Sequence, residues 1–202
     1  MRINMRFIQY LGIFTCIVLL QGCVTVKLKS VLPEQAYYSL DNIKLEPSCK
    51  TMNTSLGLNI SVLSPFDGKD ILGYDEKSQI EILQHYKWID LPKNMIRNNV
   101  IKAGLNHCIQ IEQNPPISQK LKILQININE LYVLQPKTKV QSKDSKENFY
   151  TGYIYLHYEL MGYDLKRLKN GIIVATSQDS NPAKSLQNAV NEALQKVLMQ
   201  VK

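Results

Sequence analysis

Four cysteines and three histidines are the residues of this 202-residue chain best suited to chemistry. A thiol can act as a nucleophile, bind a soft metal, pair with a second thiol or carry a lipid, and an imidazole can move protons near neutrality or ligate a metal. Spacing decides among these uses. His107 and Cys108 are adjacent, and neighbouring side chains on a helix point in different directions, so they make neither a Cys/His nucleophile pair nor a metal site without further ligands. His85 and His157 are scattered elsewhere. No G-x-S-x-G elbow, H-E-x-x-H pair, Walker-type loop or dinucleotide fingerprint occurs. The expectation is a protein that is not an enzyme, with no catalytic residues, no metal ligands and no cofactor.

Cys23 differs from the other three because of what precedes it. Arg2 and Arg6 form a basic start, Phe7 to Leu20 form an apolar run, and LLQGC closes it before an abrupt change to polar sequence. The run is short for a transmembrane helix, which needs roughly 20 residues, and reads as an export signal, the alternative being an uncleaved N-terminal anchor with a chance Cys. Gly22 supplies a small residue before a cut and Cys23 a nucleophilic sulfur after it. This junction resembles the lipobox of bacterial lipoproteins, although Gln21 is bulkier than the usual residue at its place. The resemblance implies a signal peptide over 1–22, diacylglycerol on Cys23 and a membrane-anchored chain, since two or three acyl chains hold a protein stably on a bilayer. In resembling signals an Asp after the Cys retains the lipoprotein in the inner membrane. Val24 stands there, which favours the outer membrane, facing the periplasm.

That compartment changes the reading of the remaining cysteines. Cys16 leaves with the signal, so Cys49 and Cys108 remain as an even pair in an oxidising environment, a candidate disulfide against the alternative of two buried free thiols. Losing Arg2 and Arg6 leaves 22 basic against 17 acidic residues, a net charge of +5. A Lys-rich solvated surface is the first reading of that excess, and attraction to anionic lipid headgroups or acidic partners is the alternative. The basic balance does not argue for nucleic acid outside the cytoplasm.

The rest of the chain reads as a tether over 23–35 followed by one domain over 36–202. Strand signals fall at Ala36 to Leu40, at Leu56 to Leu63 before the Ser64-Pro65 and Asp67-Gly68 turns, and at Ile71 to Tyr74 with Gln79 to Leu83 as a hairpin. Pro92 to Asn106 has helical periodicity after Asp90 as a start signal. Pro115-Pro116 marks a loop, and Leu121 to Leu134 is a long strand with Leu124, Ile126 and Ile128 on one face. A charged connection over 135–148 precedes the alternating run Phe149 to Gly162, which places Ile154, Leu156, Tyr158 and Leu160 on one side. Asn170-Gly171 reads as a turn before a strand at Ile172 to Thr176. Asn181 and Pro182 open a terminal helix whose stripe runs through Leu186, Ala189, Val190, Ala193, Leu194, Val197, Leu198 and Val201. The expected class is α+β, an antiparallel or mixed sheet packed on one face by two helices.

The 11 tyrosines and single Trp supply amphipathic rings of the kind common at interfaces. Tyr86 and Trp88 are the candidate partner contacts; the alternative for Trp88 is that it anchors the sheet to the helix at Pro92. In order and spacing, the lipobox, YYSLDNI (37–43), LGYDEKSQIEILQHYKWIDLP (72–92), a helix, a long strand, a hairpin and a terminal amphipathic helix resemble the ABC-type transport auxiliary lipoproteins, including the paraquat-inducible protein C type. Tyr86, Trp88 and Pro92 match a Tyr-x-Trp-x-x-x-Pro-like stretch of that family. The charged segment 136–148 and the Cys49/Cys108 pair depart from it. The resemblance implies a non-catalytic docking or adaptor subunit. Its partners would be a mammalian-cell-entry-type periplasmic protein and an ABC transporter permease and ATPase that move lipids or hydrophobic compounds; a homo-oligomer is left open. The alternatives are an outer-membrane assembly lipoprotein that partners a β-barrel, and a periplasmic lipid carrier.

Overall fold

Alternation with period two dominates the middle of the chain and builds a long central strand pair. In a computed structural model, which describes residues 34–46, 49–52, 54–75, 79–113, 120–136 and 149–202, these are β6 (Lys122–Leu134) and β7 (Tyr150–Met161), paired antiparallel along their whole length. β8 (Arg167–Asp179) continues the sheet antiparallel to β7. The other edge of β6 is divided between two strands. Its first half pairs parallel with β2 (Thr54–Val62), and its last residues pair parallel with β3 (Asp70–Tyr74). Beyond β2 lies the short parallel strand β5 (Ile109–Glu112). Beyond β3 lie the antiparallel β4 (Ile80–Trp88) and, parallel to its end, β1 (Ala36–Tyr38). The signal segment, Cys23, the tether through residue 33, the Pro115-Pro116 loop and most of the charged connection lie outside the described residues.

Among the described residues, two helices complete the unit Pro33–Lys202: α1 (Pro92–Asn106) and α2 (Pro182–Val201). The class is α+β with a mixed eight-stranded sheet, as expected. All eight residues of the α2 stripe are buried, against Ile154, Leu156, Tyr158 and Leu160 of β7 and Ile173 and Ala175 of β8. Asn181 caps the helix, its side-chain oxygen accepting from the Ala183 and Lys184 amides at 2.9 and 3.2 Å. Gly152 allows the first turn of α2 to approach β7 closely, since a Cβ there would come within 2.3 Å of the Ser185 backbone.

α1 begins differently from the expectation. Leu91 occupies the cap position without a side-chain bond, while the Asp90 carboxylate accepts from the Leu91 amide at 2.7 Å and from the Asn94 side chain at 3.1 Å. Those two bonds hold Asp90 below the usual carboxylate range. Three other boundaries shift. The Asn170-Gly171 turn is not formed: both residues lie inside β8, and Gly171 is there because a Cβ would meet the Tyr158 ring at 2.8 Å. The reversal lies at Gly162–Lys166, where the Gly162 amide donates to the Lys166 carbonyl at 2.8 Å and Leu165 takes a φ of 60°. β4 runs on to Trp88, and β5 is an added strand.

Candidate functional site

The sequence nominated Cys49, Cys108, Tyr86 and Trp88 within the described residues, and the fold gives them separate settings. Cys49 and Cys108 are joined by a disulfide, with Cα atoms 5.5 Å apart and a sequence separation of 59. Cys108 has a φ of 62° just past α1, a left-handed residue that ends the helix. The bridge ties the chain before β2 to that end. Other bonds fasten the preceding residues to the helices. Lys102 holds Asp41 at 2.7 Å, Asn99 donates to the Leu40 carbonyl at 2.7 Å, and Asn106 reaches the Lys44 carbonyl and the Glu46 amide at 2.9 Å each. Gln187 and Asn191 of α2 bond to Ser39 and Asn42. His107 contacts Gln195 of α2 rather than a thiolate, and no cluster of three metal-ligating side chains forms among the described residues.

Trp88 is 2% exposed and belongs to the core. As a partner contact it is therefore corrected to a core residue; its amide donates to the Lys69 carbonyl, and the following amide donates to the Tyr38 carbonyl, both at 2.8 Å. Tyr86 is half-buried and stacks on Tyr38 with ring centroids 5.5 Å apart. Burial, with Tyr150 and Tyr38 nearby, pushes its phenol up. It stays a neutral phenol at ordinary pH and is not a base. Tyr38 in turn meets the Asn181 side chain at 3.4 Å, so this group sits beside the start of α2.

A larger aromatic surface lies on the opposite side of the sheet, and sequence reasoning did not assemble it. Even-numbered residues of β7 face α2, so the odd ones, Tyr153, Tyr155, His157, Glu159 and Met161, face away and are half-buried. A bulge in β6 between Ile128 and Glu130 inserts Asn129. The extra residue returns Leu131 and Val133 to the core and sends Glu130, Tyr132 and Leu134 to the outer face. Register then sets Tyr132 opposite Tyr153, stacked at 4.7 Å. Tyr74 of β3 meets Tyr132 edge-on at 4.4 Å, and Phe66 approaches it at 6.2 Å. β8 extends the face with Ile172 and Val174, 62% and 47% exposed.

The face has a polar end as well. Ser61 donates to the Asn127 side-chain oxygen at 2.6 Å, and Gln125 donates to the same atom at 3.3 Å. Glu159 lies 3.8 Å from His157 and 3.2 Å from Arg167. At the aromatic end, burial first and then Glu130, Tyr153 and Tyr74 push the Tyr132 phenol up to about 12. Tyr153 is raised as well, by burial and then by Glu130 and Tyr155. Such phenols donate hydrogen bonds and present ring surface over the whole physiological range, which suits recognition rather than proton transfer.

No family model and no curated protein sequence matches the chain. Solved structures do share the fold. An uncharacterized protein aligns over 84% of this chain and 99% of its own, at 11% identity and a TM-score of 0.61. A Xanthomonas campestris protein of family DUF330 aligns over 82% of this chain and 91% of its own, at 13% identity and a TM-score of 0.60. What these likenesses establish is the arrangement of sheet and helices. No helix among the described residues is long and apolar enough to cross a membrane.

Proposed function

We propose that this chain is a lipid-anchored auxiliary lipoprotein, held by Cys23 on the outer membrane and facing the periplasm. There it acts as a non-catalytic docking subunit for a transport system that moves lipids or other hydrophobic compounds. The observation that carries this reading is the LLQGC junction, an apolar run that stops at Gly22-Cys23 and gives way to a folded domain. The resemblance of residues 37–43 and 72–92 to the transport auxiliary lipoproteins supports the finer assignment, with a mammalian-cell-entry-type protein and an ABC transporter as partners. The helix-free face supports a docking role. Tyr74, Tyr132, Tyr153 and Tyr155 offer amphipathic rings whose hydroxyls satisfy a partner's polar groups while the rings bury apolar area.

The test is crosslinking in native membranes followed by affinity capture and mass spectrometry, comparing the parent chain with Cys23→Ser. Capture of an entry-type protein together with its transporter, lost in Cys23→Ser, is the expected result. Capture of a β-barrel alone, or of lipid with no protein, overturns the transport assignment in favour of barrel assembly or lipid carriage. Absence of lipid on Cys23 in the mass spectrum of the intact protein overturns the anchor itself.

A further inference from the structure

Among the described residues β8 has a strand partner on one side only. Among them it pairs with β7 and with no other strand, so one edge of a 13-residue strand offers its peptide groups outward. Natural edge strands are usually blunted by a central Lys, a proline, a bulge or short length. β8 has none of these devices in its middle. From Asn170 to Gln178 there is no charge and no proline, and the irregular step of the β7 ladder, between Leu160 and Met161, falls at the Arg167 end. At the centre of the edge, Ile172 and Val174 are exposed on the helix-free face.

The regular part of the strand, Lys169 to Asp179, is also complementary to itself when reversed. Place two copies antiparallel with Val174 opposite Val174. Lys169 of one then lies opposite Asp179 of the other, and both residues occupy the α2 side of the sheet, as their register with Leu160 and Tyr150 shows. Asn170 meets Gln178, a polar pair. Ile172 meets Thr176 on the helix-free face, and Ile173 meets the smaller Ala175 on the other. Gly171 meets Ser177. Parallel pairing would instead set the basic end, with Lys166, Arg167 and Lys169, beside its own copy. Within the chain Lys169 also donates to the Gln200 carbonyl, and Asp179 accepts from the Asn181 amide at 2.8 Å. An ammonium and a carboxylate each have capacity for a further partner. Two Lys169–Asp179 pairs per assembly therefore favour the antiparallel arrangement in this register, since opposite charges across a strand pair attract and like charges repel. We infer that the outer edge of β8 pairs with β8 of a second copy of this chain about a two-fold axis at Val174, joining two eight-stranded sheets into one. This inference does not depend on the transport assignment.

Cysteine scanning of the full-length chain in isolated membranes, with a mild oxidant and non-reducing gels, tests it. At the axis the two Val174 Cα atoms come within the roughly 4.5–5.5 Å of directly opposed antiparallel residues, inside the range a disulfide can span. Val174→Cys alone therefore gives a covalent dimer well above the parent chain. Ile172→Cys gives none, because the two copies of that residue are offset by four positions, about 13 Å along the strand. Mixing tagged Ile172→Cys with Thr176→Cys chains restores the crosslink. Lys169→Glu in the Val174→Cys background faces Asp179 with a like charge and lowers the dimer yield at least about threefold, and adding Asp179→Lys recovers it. The inference is overturned if Val174→Cys gives no dimer beyond the parent, or if Ile172→Cys crosslinks as well as Val174→Cys.

Discussion

The two faces of β7 share one backbone and obey opposite rules. On the α2 side, Ile154 and Leu156 are fully buried and Gly152 is matched to the backbone of Ser185. On the other side, Tyr153, Tyr155 and His157 alternate with them and remain half-exposed, with no helix laid over them among the described residues. Side chains on the covered face are constrained by a fixed neighbour and are chosen for shape. Those on the helix-free face retain polar tips and ring surface that the fold itself does not consume, which is the property a docking surface requires. The comparison teaches that side chains consumed by the core and side chains left accessible are separated here by a single residue step along the strand.

Removing the covalent tie on the helix side has the largest expected effect. The Cys49–Cys108 bridge closes a loop across 59 positions, for which the chain-entropy account gives about 4 kcal/mol. The Cys49→Ser/Cys108→Ser double variant loses roughly that much in urea unfolding. Because the chain-entropy effect acts on the unfolded ensemble, the Tyr132–Tyr153 face stays intact in the fraction that remains folded, as tyrosine fluorescence quenched by a small solute reports. Equal disruption of both faces would break the proposed separation.

Next comes a pair of changes one strand apart. Gly152→Ala places a Cβ against the first turn of α2, where only backbone can yield, and costs about 3 kcal/mol. Thr176→Ala, exposed on the helix-free side of β8, changes stability by no more than about 0.5 kcal/mol. Thermal or urea melts of the two variants check both values. Similar losses would mean that the outer face is as tightly specified as the inner one.

This asymmetry also explains what could be read from the residues. Phe149 to Gly162 alternates so regularly that its inner set was named without the fold, and the α2 stripe was legible because apolar residues at helical spacing have one economical burial. β5 escaped because four residues hold too few alternations to register, and their strand state comes from pairing with Thr54 to Gly57. Gly171 was misread as a turn because glycine punctuates more often than it makes room for a ring. Arg167 to Asn170 was too polar to suggest a strand, yet β7 recruits it as an edge. The tyrosine cluster was out of reach for a different reason. Tyr74, Tyr132 and Tyr153 come from three strands, and only the bulge at Asn129 puts Tyr132 on their side. Out-of-phase placement of Tyr132 between Leu131 and Val133 was the available signal.

The smallest expected effect is the most selective for the helix-free face. Tyr132 has its phenol raised from 10.0 to about 12 by burial, Glu130 and its tyrosine neighbours. In the unfolded chain the same phenol ionises near 10. Between those values the folded protein binds the proton that the unfolded chain has released, so stability falls as pH rises. The contribution is fully present below pH 10 and is lost as pH climbs toward 12. Tyr86 and Tyr153 are raised in the same direction, so the fall is shared. Tyr132→Phe keeps the ring against Tyr74 and Tyr153 and removes one ionising group. Its urea midpoint therefore declines less steeply than the parent's across that window, and the phenolate absorbance of the folded protein loses its latest step. An unchanged slope would place Tyr132 in free contact with water and remove the aromatic end of the face as a built surface, whereas a shallower slope with unaltered stability at neutral pH locates the effect on this face alone.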